Sequence, residues 1–125
     1  MALIENSPFF DKEQIAENKY AFAIYDGFPI SKGHSLIIPK RVVSSIFDLD
    51  DEEYFFLFKL TKDVKLILKN KFNPDAFNFG INDGEKAGQT IQHAHLHIIP
   101  RYRGDLPDPR GGVRNILPDI SGYLK

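Results

Sequence analysis

Gln92-His93-Ala94-His95-Leu96-His97-Ile98-Ile99-Pro100 puts three of the chain's four histidines at a spacing of two. Alternate side chains of an extended strand share a face, so the pattern predicts His93, His95 and His97 on one side and Ala94, Leu96 and Ile98 on the other, buried side. Same-face neighbours lie roughly 6.5 to 7 Å apart, close enough for adjacent rings to serve one ligand group or to pass hydrogen bonds along the row. A lone histidine on a strand is usually structural; three on one face make a site. Two chemistries suit them, metal ligation by neutral imidazoles and attack on phosphorus by one imidazole.

Immediately upstream, Asn82-Asp83-Gly84-Glu85-Lys86-Ala87-Gly88-Gln89-Thr90 is a polar loop with two glycines. Two residues suffice to close a hairpin, so a longer connection leading straight into the histidines suggests function. Gly88 lets the backbone approach a ligand, while Gln89 and Thr90 add side-chain donors, a combination suited to phosphate oxygens. An ordinary wide hairpin loop is the bland alternative. Ala76–Ile81 alternates as a strand, with Phe77, Phe79 and Ile81 on one face. Before it, Asp50 and Glu53 are placed to cap a helix whose Leu57, Leu60, Val64, Ile67, Leu68 and Phe72 recur at helical spacing up to Asn73-Pro74. Tyr20–Tyr25 and His34–Ile38 read as an antiparallel hairpin around the turn Asp26-Gly27-Phe28-Pro29. Asp11–Ala16 reads as a helical turn or an irregular lead-in. The segment after Arg101 is dense in Pro, Gly and Arg; it is expected to be mostly irregular, with Arg101, Arg103, Arg110 and Arg114 able to meet phosphate if it folds over the site.

A chain of 125 residues suits a single domain over 1–125. A net charge of −1, with 42% hydrophobic and 26% charged residues, gives no general attraction to nucleic acid or membrane, so an anion must be caught locally. The absence of cysteine removes disulfides, zinc-thiolate sites and thiol nucleophiles. Neither a signal peptide nor a bilayer-spanning stretch is visible, and the expected location is cytoplasmic.

Metal and phosphorus remain to be weighed. His34 offers a third nitrogen to a two-histidine metal pattern, which makes a metal-dependent hydrolase a real alternative. Against it, no carboxylate follows the triad at strand spacing, Asp83 and Glu85 sit in the loop, and the glycine loop is left without a task. With phosphorus, the loop holds a phosphate and a neutral imidazole attacks it.

At these residues the chain resembles the histidine triad superfamily, whose motif alternates histidine with apolar residues as His93-Ala94-His95-Leu96-His97-Ile98-Ile99 does. Gly33-His34-Ser35-Leu36-Ile37-Ile38-Pro39, Asn82-Asp83-Gly84, Ala87-Gly88-Gln89-Thr90 and the long helix fall in that family's order, so the resemblance covers roughly 9–105 and leaves 106–125 as a tail. It implies an HIT-like α+β fold with an antiparallel sheet of about five strands, one long helix and a short N-terminal helix. It implies that His95 attacks the α-phosphorus of a nucleotide, giving a nucleotidyl-histidine intermediate that water cleaves. His97 would donate to phosphate or leaving-group oxygen, with His93 and His34 as the hydrogen-bonded shell that fixes the tautomer of the nucleophile. Asn82, Gly88, Gln89 and Thr90 would bind phosphates, Asp26 the ribose, and Phe9, Ile24 and Tyr25 the base, an adenosine nucleotide being the expected ligand.

The loop and Pro100-Arg101 with Gly104-Asp105 look closer to the fragile-histidine-triad branch, which hydrolyses dinucleoside polyphosphates, than to the phosphoramidate branch, and the expected substrate is a dinucleoside polyphosphate or a nucleoside phosphoramidate. The third histidine argues against the nucleotidyltransferase branch, which has glutamine there. Many relatives carry a zinc-binding Cys-x-x-Cys where this chain has Ser7-Pro8-Phe9-Phe10, so no structural zinc is expected, with Phe10 filling the space. No cofactor is required, although a divalent cation can accompany a polyphosphate substrate, and a homodimer with a continuous sheet is implied. A nucleotide-binding module without turnover is the remaining alternative.

Overall fold

The structure, a computed structural model, describes residues 7–9 and 12–121. Five strands, β1 (Gln14–Glu17), β2 (Ala21–Tyr25), β3 (Ser35–Pro39), β4 (Ala76–Ile81) and β5 (Leu96–Arg101), form one antiparallel sheet in the order β1-β2-β3-β5-β4. Helix α1 (Asp51–Phe72) connects β3 to β4, so the chain passes over the place that β5 later fills. A four-residue helix α2 (Pro118–Ser121) ends the described chain.

The strand period of two sorts the apolar residues. Ala21, Ala23, Ile37, Leu96 and Ile98 face α1 and pack with its Leu57, Leu60, Val64 and Leu68 as the main core. Phe22, Ile24, Leu36 and Ile38 face the other way and form a smaller cluster closed by Phe9. The second cluster lies on the face that carries the histidines.

Several elements differ from the sequence expectation. Gln14–Glu17 is an edge strand, not a helical turn; its polar composition is tolerated because an edge strand has a solvated side. The expected short N-terminal helix is absent among the described residues, and 1–6, 10 and 11 lie outside them. On α1, Ile67 is 37% exposed, while Thr61 is buried and satisfies its hydroxyl on Leu57 O at 2.9 Å. Gly33 adopts φ +91°, where a Cβ would meet Phe72 at 2.8 Å, which accounts for glycine at the tight entry to β3. At the end of β5, Arg101 pairs with Asp105 at 2.8 Å and with Asn78 at 2.7 Å, and further on Arg110 pairs with Asp108 at 2.8 Å, so these guanidiniums are engaged locally.

Candidate functional site

β5 begins at Leu96, so His93 and His95 precede the strand instead of lying on it. Their segment has no ladder partner and is held by pins: Ala94 N–H donates to Val43 O at 2.7 Å, and His93 Nε2 bonds Pro39 O at 2.7 Å. The expected alternation survives in part, because Ala94, Leu96 and Ile98 are buried, but His93 and His95 are buried as well and only His97 is half-buried. Because the chain follows bends before Leu96, tertiary hydrogen bonds replace the ladder that the sequence pattern suggested.

Backbone partners decide the proton positions on the rings. Carbonyl oxygens only accept, so His93 carries its proton on Nε2, facing Pro39 O. Ser7 Oγ then donates to His93 Nδ1 at 2.5 Å. His95 Nδ1 faces His93 O at 2.8 Å and must hold its proton there, leaving Nε2 bare. Ile30 N–H donates to His34 Nδ1 at 3.2 Å, which puts the His34 proton on Nε2; that proton is given to His97 Nδ1 at 3.0 Å. His97 is left with its proton on Nε2. The His97 ring sits 5.1 Å from that of His95 and 5.2 Å from that of His34, so a bare ring nitrogen and an N–H donor stand side by side.

Burial disfavours the charged form of His34, His93 and His97. Desolvation, with the neighbouring His95 and His34 adding to it, lowers the His97 pKa to about 4, although Asp26 pulls the other way. Desolvation also lowers His34, against the pull of Asp26, and lowers His93.

Asp26 Oδ2 lies 3.4 Å from His34 Nε2 and 3.9 Å from His97 Nδ1, and these three residues offer ligand atoms within 4.8 Å of one another. The set resembles a two-histidine, one-carboxylate metal cradle. Its protonation does not suit a metal. An ion on His34 Nε2 would displace the proton to Nδ1, where it would face the Ile30 N–H, donor against donor.

The other sequence-derived candidates divide. Asn82, Gly88 and Thr90 lie exposed in the loop, and Gly88 adopts φ +100°. Gln89 is buried instead: its Nε2 donates to Ser44 O at 2.8 Å and Ile91 O at 3.0 Å, and its Oε1 accepts from Gly84 N at 2.9 Å. Its amide braces the loop. Phe9 and Ile24 belong to the buried cluster on the histidine face, and the Phe9 ring meets His95 edge-on at 5.3 Å. Tyr25 points to the opposite face, where its ring meets Phe72 and its hydroxyl meets Lys71 Nζ at 3.2 Å; strand alternation against Ile24 already requires this, so it is not a base contact here. Phe10 lies outside the described residues.

Sequence reasoning missed the end of β3 and the segment after it. Pro39 O, Val43 O and Ser44 O hold His93, Ala94 and Gln89, while Ser45 Oγ donates to Asp83 Oδ1 at 2.8 Å. Three of these contacts are made by main-chain carbonyls, which leave no trace in residue identity. Ser7 and Ile30 were missed for similar reasons, since a tight turn and a backbone N–H carry no chemical signature.

The chain matches the HIT domain model over residues 9–104. It is 37% identical over 103 residues to the bis(5'-adenosyl)-triphosphatase of Dictyostelium discoideum, covering 82% of this chain and 66% of that one. It is 36% identical over 92 residues to the AP-4-A phosphorylase of Mycobacterium tuberculosis, covering 73% and 47% respectively. The matches therefore span less than two thirds of the length of either relative. Among solved structures, a HIT family protein from Bacillus anthracis superposes with a TM-score of 0.71 at 39% identity, covering 75% of this chain and 67% of that one.

Proposed function

The chain belongs to the HIT domain family, and from that premise we propose that it is a nucleotide-binding phosphohydrolase, releasing a nucleoside monophosphate from a dinucleoside polyphosphate. The observation that carries the proposal is the 2.8 Å contact between His95 Nδ1 and His93 O, which requires the proton on Nδ1 and leaves Nε2 a free lone pair. A module that only binds nucleotide has no use for that lock.

His95 Nε2 attacks the α-phosphorus; a P–N bond forms as the P–O bond to the departing phosphate breaks, and the electron pair leaves with that oxygen. His97 Nε2–H donates a hydrogen bond to the departing oxygen, stabilising the charge it gains. Water then attacks phosphorus, the P–N bond breaks, the lone pair returns to His95, and the water's proton passes to solvent. Asp26 accepts from the ribose hydroxyls, the exposed loop at Asn82, Gly88 and Thr90 offers donors to the phosphates, and Phe9 and Ile24 lie under the base. No metal is needed by the rings, and a divalent cation would enter with the polyphosphate. The relative named a phosphorylase supports a second reading, in which inorganic phosphate replaces water.

Assembly belongs to the same proposal. β4 is the last strand of the sheet and carries an exposed Phe79, and α1 presents exposed Phe55, Phe58 and Leu66, a combination suited to a homodimer that continues the sheet.

Product analysis with diadenosine tetraphosphate tests the reaction. Hydrolysis gives AMP with ATP whether or not inorganic phosphate is present; phosphorolysis gives ADP with ATP and depends on it. The His95→Ala variant should lose turnover and retain nucleotide binding, and normal turnover by that variant would end the proposal.

A further inference from the structure

Ser7 is a buried polar residue to which the reaction above assigns no part. We propose that it is a positioning residue for His95, acting through His93: its hydroxyl fixes the ring of the residue whose backbone carbonyl holds the nucleophile's Nδ1 proton. This rests on the reading of His95 as nucleophile.

The need arises from where β5 starts. The first β5 residue in register with β3 is Leu96, opposite Ile37, so the His93 carbonyl lies in chain that no ladder restrains. Three bonds fix it. Ala94 N–H to Val43 O holds the backbone at 2.7 Å, His93 Nε2–H to Pro39 O holds one end of the ring at 2.7 Å, and Ser7 Oγ to Nδ1 holds the other at 2.5 Å. The hydroxyl is itself oriented: Phe9 N–H donates to Ser7 Oγ at 3.2 Å, which leaves the hydroxyl proton for Nδ1. Phe9 then packs its ring 5.8 Å from that of His93 and 5.3 Å from that of His95.

Removing the hydroxyl leaves Nδ1 a buried acceptor with no donor, a state that buried polar groups avoid. The ring regains a partner for Nδ1 only by turning, which breaks the bond to Pro39 O. The carbonyl then loses its fixed position, and His95 gains access to the tautomer with its proton on Nε2, which cannot attack phosphorus. Proximity effects of this kind are steep, a 1 Å misplacement costing about a hundredfold in rate.

Nitrogen-15 NMR of the histidine rings in the full chain at neutral pH, without substrate, reads the lock directly. The wild type should show His93 protonated on Nε2 and His95 on Nδ1. Ser7→Ala should show His95 as a mixture of tautomers and a kcat lowered about tenfold to a hundredfold, with KM little changed. Ser7→Thr, which keeps the hydroxyl, should restore both. A wild-type His93 protonated on Nδ1 overturns the proposal whether or not Ser7→Ala folds, and so does a Ser7→Ala protein with unchanged tautomers, whatever its kcat. A wild type with the stated tautomers and no turnover would refute the hydrolase and leave the lock standing.

Discussion

At the scale of single residues, burial works against charging His34, His93 and His97. His97, with its pKa held to about 4 against an ordinary 6.5, costs the folded protein stability whenever it must be protonated. Between those two values the unfolded chain binds more protons than the folded one, so stability rises with pH across the interval and is lost as pH falls through it. His34 and His93, both lowered, act in the same direction. Urea unfolding followed at pH 7, 5.5 and 4 should therefore show a falling midpoint, and His97→Gln should flatten the dependence. A midpoint independent of pH over that range would contradict the assigned burial. The histidines were legible in the sequence because an imidazole every second residue is rare. Their tautomers were not, because Pro39 O, His93 O and Ile30 N–H set them, and main-chain groups occur at every position.

At the scale of elements, the start of α1 anchors the segment that supports the site. Asp50 and Glu53 form the capping box expected from the sequence, with Asp50 N–H donating to Glu53 Oε1 at 2.9 Å. The structure adds a second use of Glu53, which takes a two-pronged bond from Arg41 at 2.8 and 3.1 Å, while Arg41 also donates to Asp48 O. That bond lowers the Glu53 pKa. The segment from Arg41 to Ser45 then presents the carbonyls that hold Ala94 and Gln89.

Asp50→Ala should cost about 1 kcal/mol, the usual loss of a cap. Glu53→Ala should cost more, about 2 kcal/mol, because it removes both its arm of the capping box and the carboxylate that takes the two-pronged bond from the part-exposed Arg41. Chemical denaturation measures both, and equal losses would show that the Arg41 pair adds nothing. The helix was readable from its period and caps. β1 was not, since the four residues Gln14–Glu17 have no alternation and become a strand only through pairing with β2. β5 was drawn too long for the converse reason: the histidine alternation continues upstream of Leu96 while the hydrogen-bond ladder does not.

At the scale of the molecule, one helix covers one face of a five-stranded sheet, and the histidines lie on the opposite face. That arrangement leaves the β4 edge and the outer face of α1 for self-association. Sedimentation equilibrium should give a dimer, and Phe58→Glu combined with Phe79→Lys should give a monomer; a monomeric wild type would remove the assembly from the account. The long helix, the loop before the histidines and three of the five strands could be placed from the residues, whereas the edge strand β1, the true start of β5 and the support from the segment after β3 emerged only from the folded chain.

The central claim, that His95 Nε2 bonds phosphorus during turnover, is tested most directly by quenching the reaction with diadenosine tetraphosphate in alkali and locating the adduct by peptide mass spectrometry. The account predicts one nucleoside monophosphate on the peptide carrying His95, absent from His95→Ala. Rapid turnover with no adduct at any time, or turnover abolished by a chelator and restored by a metal ion with no adduct formed, would contradict it.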